Sequence, residues 1–204
     1  MNAWTPELEE RARALVARYP QRRSALGPLL YLAMRHDGGL TSEGIRRAAE
    51  LTGTTPAQAQ SVASFYTMYK EAPGRYLISV CTSISCHLLG GEEVLAAVEE
   101  ATGVGDGETG AERLFSVEHA ECLGACGGAP ALQVNYETVE GVTPEAARRL
   151  CRHLREQQPA VVRADALQAE FGGRPAFDWG PEDAAGATGP VPAFEPYGTT
   201  GEAP

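Results

Sequence analysis

Apolar positions recur at two different periods along the chain, and the change of period divides it. From Thr5 to about Tyr69 they fall at helical spacing. Leu8, Ala12, Leu15, Val16 and Tyr19 mark a first helix, with Thr5 as cap, Pro6 at its first position and Pro20 closing the segment. Leu26, Leu29, Leu30 and Ala33 share one face of a second helix over Ser24–His36, which Gly38-Gly39 follows. A third fits Ser42–Leu51, capped by Thr41 and stopped by Gly53. Thr55-Pro56-Ala57-Gln58 forms a capping box for the fourth, because a threonine hydroxyl and a glutamine three residues on satisfy each other's amides. That helix runs into the aromatic stretch Val62–Tyr69. Large rings at this spacing are expected in the core; the alternative is a docking surface.

From Arg75 the period shortens toward that of strands. Tyr76–Val80 is an apolar β-type run ending at Cys81. A helical stripe of Leu88, Val94, Leu95 and Val98 follows, over Leu88–Thr102, and the glycine-rich Gly103–Gly110 reads as a flexible turn. Leu114–Val117 is a second strand, Ala131–Tyr136 a third, and Glu137–Val142 returns as a fourth. Thr143-Pro144-Glu145 starts a last strong helix, to about Gln157. Strand, helix, hairpin and packing helix predict a small α/β layer structure with one mixed sheet. Ala160–Glu170 reads as a short helix. Residues 171–204 are rich in Pro, Gly, Ala and acids, a composition too poor in apolar surface to offset ordering entropy. A disordered tail is therefore expected; the alternative is an arm with Phe177, Trp179, Phe194 and Tyr197 as anchors on a partner.

The predicted fold class is α+β. It comprises an N-terminal helical bundle over 1–72, an α/β domain with a mixed sheet over 73–158, and a short helix with a low-complexity tail over 159–204. A formal charge of −10 argues against nucleic-acid binding, since phosphate contacts need a basic surface. The N-terminus shows no basic region before an apolar run, and the most apolar window, Ala25–Met34, is far too short to span a bilayer. A bacterial, intracellular protein without direct membrane insertion is expected.

Chemistry concentrates in the cysteines. Four of the five come in two close pairs, Cys81-x4-Cys86 and Cys122-x3-Cys126, each just after a predicted strand. Strand-end loops are where α/β folds keep their sites. In a reducing compartment close pairs point to metal or redox chemistry rather than a disulfide framework. Four thiolates suit a zinc ion, and two pairs equally suit the two irons of a 2Fe–2S cluster. Gly124, Gly127 and Gly128 would let the backbone approach with positive φ and point N–H groups at the sulfurs, and Thr82, Ser83 and Ser85 carry hydroxyls for the same purpose. Glu118 and Glu121 would oppose them. A dithiol–disulfide oxidoreductase fits less well, because the usual C-x-x-C is absent. Cys151 has no local partner and reads as core packing; His87 and His119 read as neighbours rather than ligands, and His36 as a helix-end residue.

The run Glu121-Cys122-Leu123-Gly124-Ala125-Cys126-Gly127-Gly128-Ala129-Pro130, with Cys81-x4-Cys86 upstream, resembles the 2Fe–2S subunits of respiratory NADH–quinone oxidoreductases. Gly53-Thr54-Thr55-Pro56 and Val62-Ala63-Ser64-Phe65-Tyr66 resemble the same family, and the likeness covers roughly residues 10–157. The resemblance implies a helical bundle followed by a thioredoxin-like domain, with Pro130 where such folds keep a cis proline. It implies one 2Fe–2S cluster on Cys81, Cys86, Cys122 and Cys126, and no catalytic residue in this chain. It also implies a flavin-binding partner subunit that carries FMN and oxidises NADH, other peripheral-arm subunits, and a place on the cytoplasmic side of the inner membrane through the complex. No G-x-G-x-x-G follows a strand here, so nothing in this chain is suited to bind NADH itself. NAD-dependent hydrogenases and formate dehydrogenases use similar subunits.

Overall fold

In the computed structural model of the chain, residues 4–176 and 186–190 are described. The chain divides after Ala72 into two compact units. In the first, α1 (Pro6–Ala17), α2 (Leu26–Asp37), α3 (Ser42–Thr52) and α4 (Pro56–Phe65) follow the predicted periods, with a 3-10 turn over Arg22–Ala25 ahead of α2. Their ends are where the caps place them. Thr5 Oγ1 accepts the Leu8 amide, and Thr41 Oγ1 accepts that of Gly44 at 2.9 Å. Thr55 and Gln58 complete the capping box in both directions, at 3.2 and 3.0 Å. Apolar faces of Ala12, Leu15, Leu29, Leu30, Met34, Ile45 and Ala49 close the interior. At the end of α2, His36 Nδ1 meets Asp37 Oδ1 at 2.8 Å, a helix-end contact.

The aromatic stretch splits, and the core expectation fails for part of it. α4 stops at Phe65 and Tyr66 is extended, so Phe65 is 77% exposed and Tyr66 48%. Tyr69 turns inward instead: its hydroxyl donates to Gly27 O at 3.0 Å and its ring packs, tilted by 55°, against that of Tyr31. Between them lies a groove of about 610 Å³ lined by Leu26, Val62, Tyr66 and Met68, among others.

The second unit holds a five-stranded mixed sheet in the order β2-β3-β1-β4-β5. Its strands are β1 (Tyr76–Cys81), β2 (Glu108–Thr109), β3 (Phe115–Ala120), β4 (Ala131–Val134) and β5 (Glu137–Glu140). β1 and β3 run parallel, with Tyr76 opposite Phe115 and Cys81 opposite Ala120. The β4–β5 hairpin adds antiparallel to β1. Its two-residue loop is Asn135-Tyr136, both at positive φ (51° and 71°), the turn whose twist matches paired strands. Asn135 is buried; its side chain accepts from the Leu77 amide at 2.8 Å and donates to Arg75 O, tying the hairpin to β1.

α6 (Gly91–Thr102) and α7 (Pro144–Gln157) cover the sheet with Val94, Val98, Ala147, Leu150 and Leu154. Cys151 joins this core, and burial pushes its thiol up to about 12, as a packing residue requires. α8 (Ala164–Phe171) adds Leu167 and Phe171 to the same cluster.

Three expectations are corrected here. The glycine-rich run is no simple turn: Glu108 and Thr109 pair with Val117 and Ser116 as β2, after reversals at Gly103 and Gly107, both at positive φ. The helix predicted from Leu88 is two helices. α5 (Ile84–Leu88) ends at Leu89, Gly90 breaks the chain at φ +97°, and α6 starts at Gly91. Leu88 therefore lies off the core stripe and is 76% exposed. Part of the predicted tail is held against the fold, since Val162 and Ala187 exchange both backbone hydrogen bonds, at 2.7 and 2.6 Å. Phe177, Trp179, Phe194 and Tyr197 lie outside the described residues.

Arg47 of α3 links α1 to α3. Its guanidinium donates to both carboxylate oxygens of Glu9 and to Glu50. That hydrogen bonding, outweighing a small desolvation cost, holds the Glu9 carboxyl below its ordinary value of 4.5. A depressed carboxyl contributes stability above its unfolded pKa and loses it as pH falls through the folded one. Glu9→Gln is expected to destabilise the first unit at neutral pH by about 0.5–1 kcal/mol. In thermal melts the deficit should shrink below pH 4.5 and vanish once wild-type Glu9 is protonated. A deficit independent of pH would show that the ion pair contributes nothing.

Candidate metal centre

Parallel pairing of β1 and β3 sends both strands out of the sheet at the same end. Cys81 is the last residue of β1, opposite Ala120, the last of β3, and the Thr82 amide continues the ladder to Ala120 O at 3.0 Å. Two residues past Ala120 comes Cys122. One in-register pair of strands thus sets down the first cysteine of each pair side by side. Cys81 Sγ lies 2.9 Å from Glu121 O, which stitches the two loops together.

The second cysteine of each pair is brought back by a short turn. α5 carries Cys86 toward Cys81, and a 3-10 turn over Cys126–Gly128 carries Cys126 to Cys122, with the two sulfurs 3.5 Å apart. Cys81 and Cys86 are buried, with Ala131, Leu123, Ala125 and Ala129 around them, whereas Cys122 and Cys126 are exposed. Each predicted pair comes together at one end of the sheet; Cys151 lies apart in the core. The four come as two pairs: among the described residues no three His, Cys, Asp or Glu side chains converge as one metal ion requires.

The electrostatics of the group follow from its composition. Burial, then hydrogen bonding with the Cys81 thiol, pushes Cys86 up to about 11, and the Ala131 amide, aimed at the sulfur, acts against them. Cys126 is raised by its hydrogen bond with Cys122 and that sulfur's charge, and lowered by the Ser85 hydroxyl. Thiols so close cannot all ionise unless a cation neutralises them, and soft metal centres supply that charge. The donor set therefore fits a thiolate-bound centre, with Ser85 and the Ala131 amide as ready hydrogen-bond donors to its sulfurs.

The predicted surroundings are corrected in part. Gly124 has the expected positive φ of 81°. Gly127 and Gly128 are glycines for a different reason. The Gly128 amide donates to Ala125 O rather than to a sulfur, and a side chain at either position would run into Ala176 or the Glu140 carboxylate. His87 points to Glu92 at 3.4 Å, both at the surface. His119 holds Asp106 through its amide and Nδ1, both at 2.7 Å; that contact raises the imidazole's pKa, and the nearby charges of Glu121 and Glu118 add to it. Glu118 accepts from Ser79 Oγ at 2.7 Å.

Gly91 escapes a reading of the sequence. A Cβ there would lie 2.6 Å from Cys81 O and 2.9 Å from Cys86 O, so only glycine lets the first turn of α6 rest on the inner cysteine loop. Its signal in the sequence is the Gly90-Gly91 pair after Cys86, which a single helix running on from Leu88 hides.

Comparison with known proteins follows this geometry. An NADH-quinone oxidoreductase subunit of Mycobacterium tuberculosis (strain ATCC 25618 / H37Rv) is 44% identical over 165 residues, 80% of this chain and 66% of the relative. The chain thus spans just under two thirds of that relative's length. NADH-quinone oxidoreductase subunit 2 of Thermus thermophilus is 43% identical over 143 residues, 68% of this chain and 79% of the relative. Among solved structures, a chain of an air-oxidised NAD+-reducing [NiFe]-hydrogenase superposes with a TM-score of 0.58 at 21% identity. It covers 64% of this chain and 23% of that one, a likeness of fold. The family described as thioredoxin-like [2Fe-2S] ferredoxin matches residues 12–155, a span that includes both cysteine pairs and the cis Ala129–Pro130 peptide beside them. The chain belongs to the thioredoxin-like [2Fe-2S] ferredoxin family.

Proposed function

We propose that the chain is the electron-carrying subunit of an NADH–quinone oxidoreductase. In this reading Cys81, Cys86, Cys122 and Cys126 hold one 2Fe–2S cluster, which exchanges single electrons with the FMN of a partner subunit that oxidises NADH. The observation that carries it is the delivery of two thiol pairs, one buried and one exposed, to a single end of the sheet. Two pairs match two irons, each needing two thiolates. A 2Fe–2S cluster, when bound, takes up and returns one electron. The chain's part is to supply four thiolates, to offset negative charge with the Ser85 hydroxyl and Ala131 amide, and to shield the inner pair from water. NADH chemistry belongs to the partner.

Relatives named as subunits of NADH-quinone oxidoreductase support this assignment. So does the surface beside the thiols. Ile84, Leu88 and Leu89 stand 78%, 76% and 61% exposed on and just after the short helix that carries Cys86. Side chains of this kind next to a redox centre suit coverage by an electron-transfer partner. Among the described residues no helix is long and apolar enough to cross a membrane. Attachment to the cytoplasmic side of the inner membrane would therefore run through other subunits of the complex.

Protein purified anaerobically is expected to contain iron and acid-labile sulfide in 2Fe–2S stoichiometry and to give an EPR signal on reduction. Cys122→Ala should abolish both. Cys151→Ala should retain them while costing about 1 kcal/mol or more of stability for the cavity it leaves. Stoichiometric zinc without sulfide in the wild-type protein would overturn the cluster; equal loss in the two variants would overturn the ligand set. For the partner, Leu88→Glu is expected to reduce by about tenfold or more the FMN-bearing subunit that co-purifies, as loss of a buried interface anchor would. Its visible spectrum should match wild type. An unchanged FMN yield would remove α5 from the interface.

A further inference from the structure

The outer cysteine loop has its own brace, built from Glu140, inside the family match over residues 12–155, and from residues beyond that match. Its centre is Glu140, the last residue of β5, which uses backbone and side chain together. The Glu140 amide donates to Gln168 Oε1 at 2.8 Å. Its carbonyl accepts from Gln168 Nε2 at 3.2 Å and from the Gly173 amide at 2.8 Å. Gln168 Nε2 also donates to Gly173 O at 2.9 Å. The Glu140 carboxylate accepts the Ala176 amide. Residues 172–176 are thereby strapped across the end of β5.

The strap bears on the loop of Cys126. A Cβ on Gly127 would come within 2.9 Å of the Ala176 methyl, and one on Gly128 would overlap the Glu140 carboxylate. The 3-10 turn that presents Cys126 is therefore held between Glu140 on one side and Ala176 on the other. Next to it the Gly141 amide donates to Gly128 O, and the Val142 amide to Pro130 O at 2.9 Å. The inner cysteines need no such device, because β1, α5 and α6 enclose them. The outer pair is exposed; the β1–β3 register and the contact of Cys81 Sγ with Glu121 O fix the start of its loop, and the brace holds the end that carries Cys126.

We infer that Glu140, Gln168 and the strap 172–176 are positioning elements that set where Cys126 stands relative to Cys81 and Cys86. The inference rests on the cluster reading above for its consequence, but its geometry does not depend on any bound group. A fixed position matters because two thiol pairs must span one rigid inorganic core. A loose outer loop would let that core leave and would alter the symmetry around the outer ligands.

The hydrogen bond between Glu140 and Ala176 can be cut from either end. Glu140→Ala removes the acceptor; Ala176→Pro removes the donor while keeping a small apolar side chain over Gly127. Glu140→Gln keeps an acceptor oxygen and serves as rescue. Full-length variants are compared in two ways. With the cluster assembled, both disruptive variants are expected to lose iron to a chelator about tenfold faster than wild type, the scale of one charge-assisted hydrogen bond. Their reduced EPR g values should shift, while Glu140→Gln stays within about twofold of wild type. Without metal, hydrogen exchange at the Gly128 and Gly141 amides should accelerate by a similar factor in the same two variants and not in the third. Wild-type iron retention, g values and amide exchange in both disruptive variants would overturn the positioning role. If wild-type protein holds no iron and sulfide, the cluster reading fails by itself, and the exchange rates alone decide whether the strap holds the loop.

Discussion

Everything at the candidate centre depends on β1 and β3 being parallel and in register. A parallel pair needs a crossover, and α5 and α6 provide it, so the chain leaves β1 at one end of the sheet and leaves β3 at that same end after a full return. Cys81 closes one strand and Cys122 follows the other by two residues. A slip of one residue in this ladder would turn Cys81 to the opposite face, away from its partners. The register is secured by the core and not by the thiols themselves. Tyr76, Ile78, Val80, Phe115 and Val117 point into the core under α6 and α7, and Asn135 pins the hairpin to the backbone of β1. Hydrophobic packing along the sheet thus determines sulfur geometry at its end.

Packing thiols together has an electrostatic consequence that the fold leaves open. Burial and neighbouring sulfurs raise Cys86, and Cys122 raises Cys126, so these two thiols keep their protons unless a positive charge displaces them. Metal binding must displace those protons, and the donors that act on these two sulfurs are one amide, from Ala131, and one hydroxyl, from Ser85. Such a site is poorly suited to free dithiol chemistry, where a depressed thiol pKa activates the nucleophile. It is well suited to a permanent, charge-compensating group.

Much of this was legible in the sequence because it was local. Caps at Thr5, Thr41 and Thr55, helical stripes in the first unit, the apolar run into Cys81 and the paired cysteines each carry their signal within a few residues. What escaped was contact between distant segments. Nothing near Gly127 or Gly128 shows that Ala176 and Glu140 will lie against them, so backbone freedom was the only available reason for two glycines. Leu88 kept a helical rhythm with Val94 and Val98, yet Gly90 at positive φ broke the helix and left Leu88 outside. The same blindness covers β2, a two-residue strand defined by its partner β3 rather than by its own residues. At Phe65 and Tyr66 the error was of another kind. Aromatic residues are usually core, and only the end of α4 at Phe65 shows these two facing outward.

The two thiol pairs rest on different foundations, and this asymmetry follows from where each lies in the chain. The inner pair is bounded by a central strand and the first turn of α6, elements that also form the main core, so its geometry is as stable as the unit itself. The outer pair stands on a surface loop whose anchors are a hairpin end, α8 and the strap after it. At Glu140 and the strap those anchors act through individual hydrogen bonds. Local opening is therefore cheaper on the outer side. Loosening of the outer loop then falls on the hydrogen bonds around Glu140 rather than on the core.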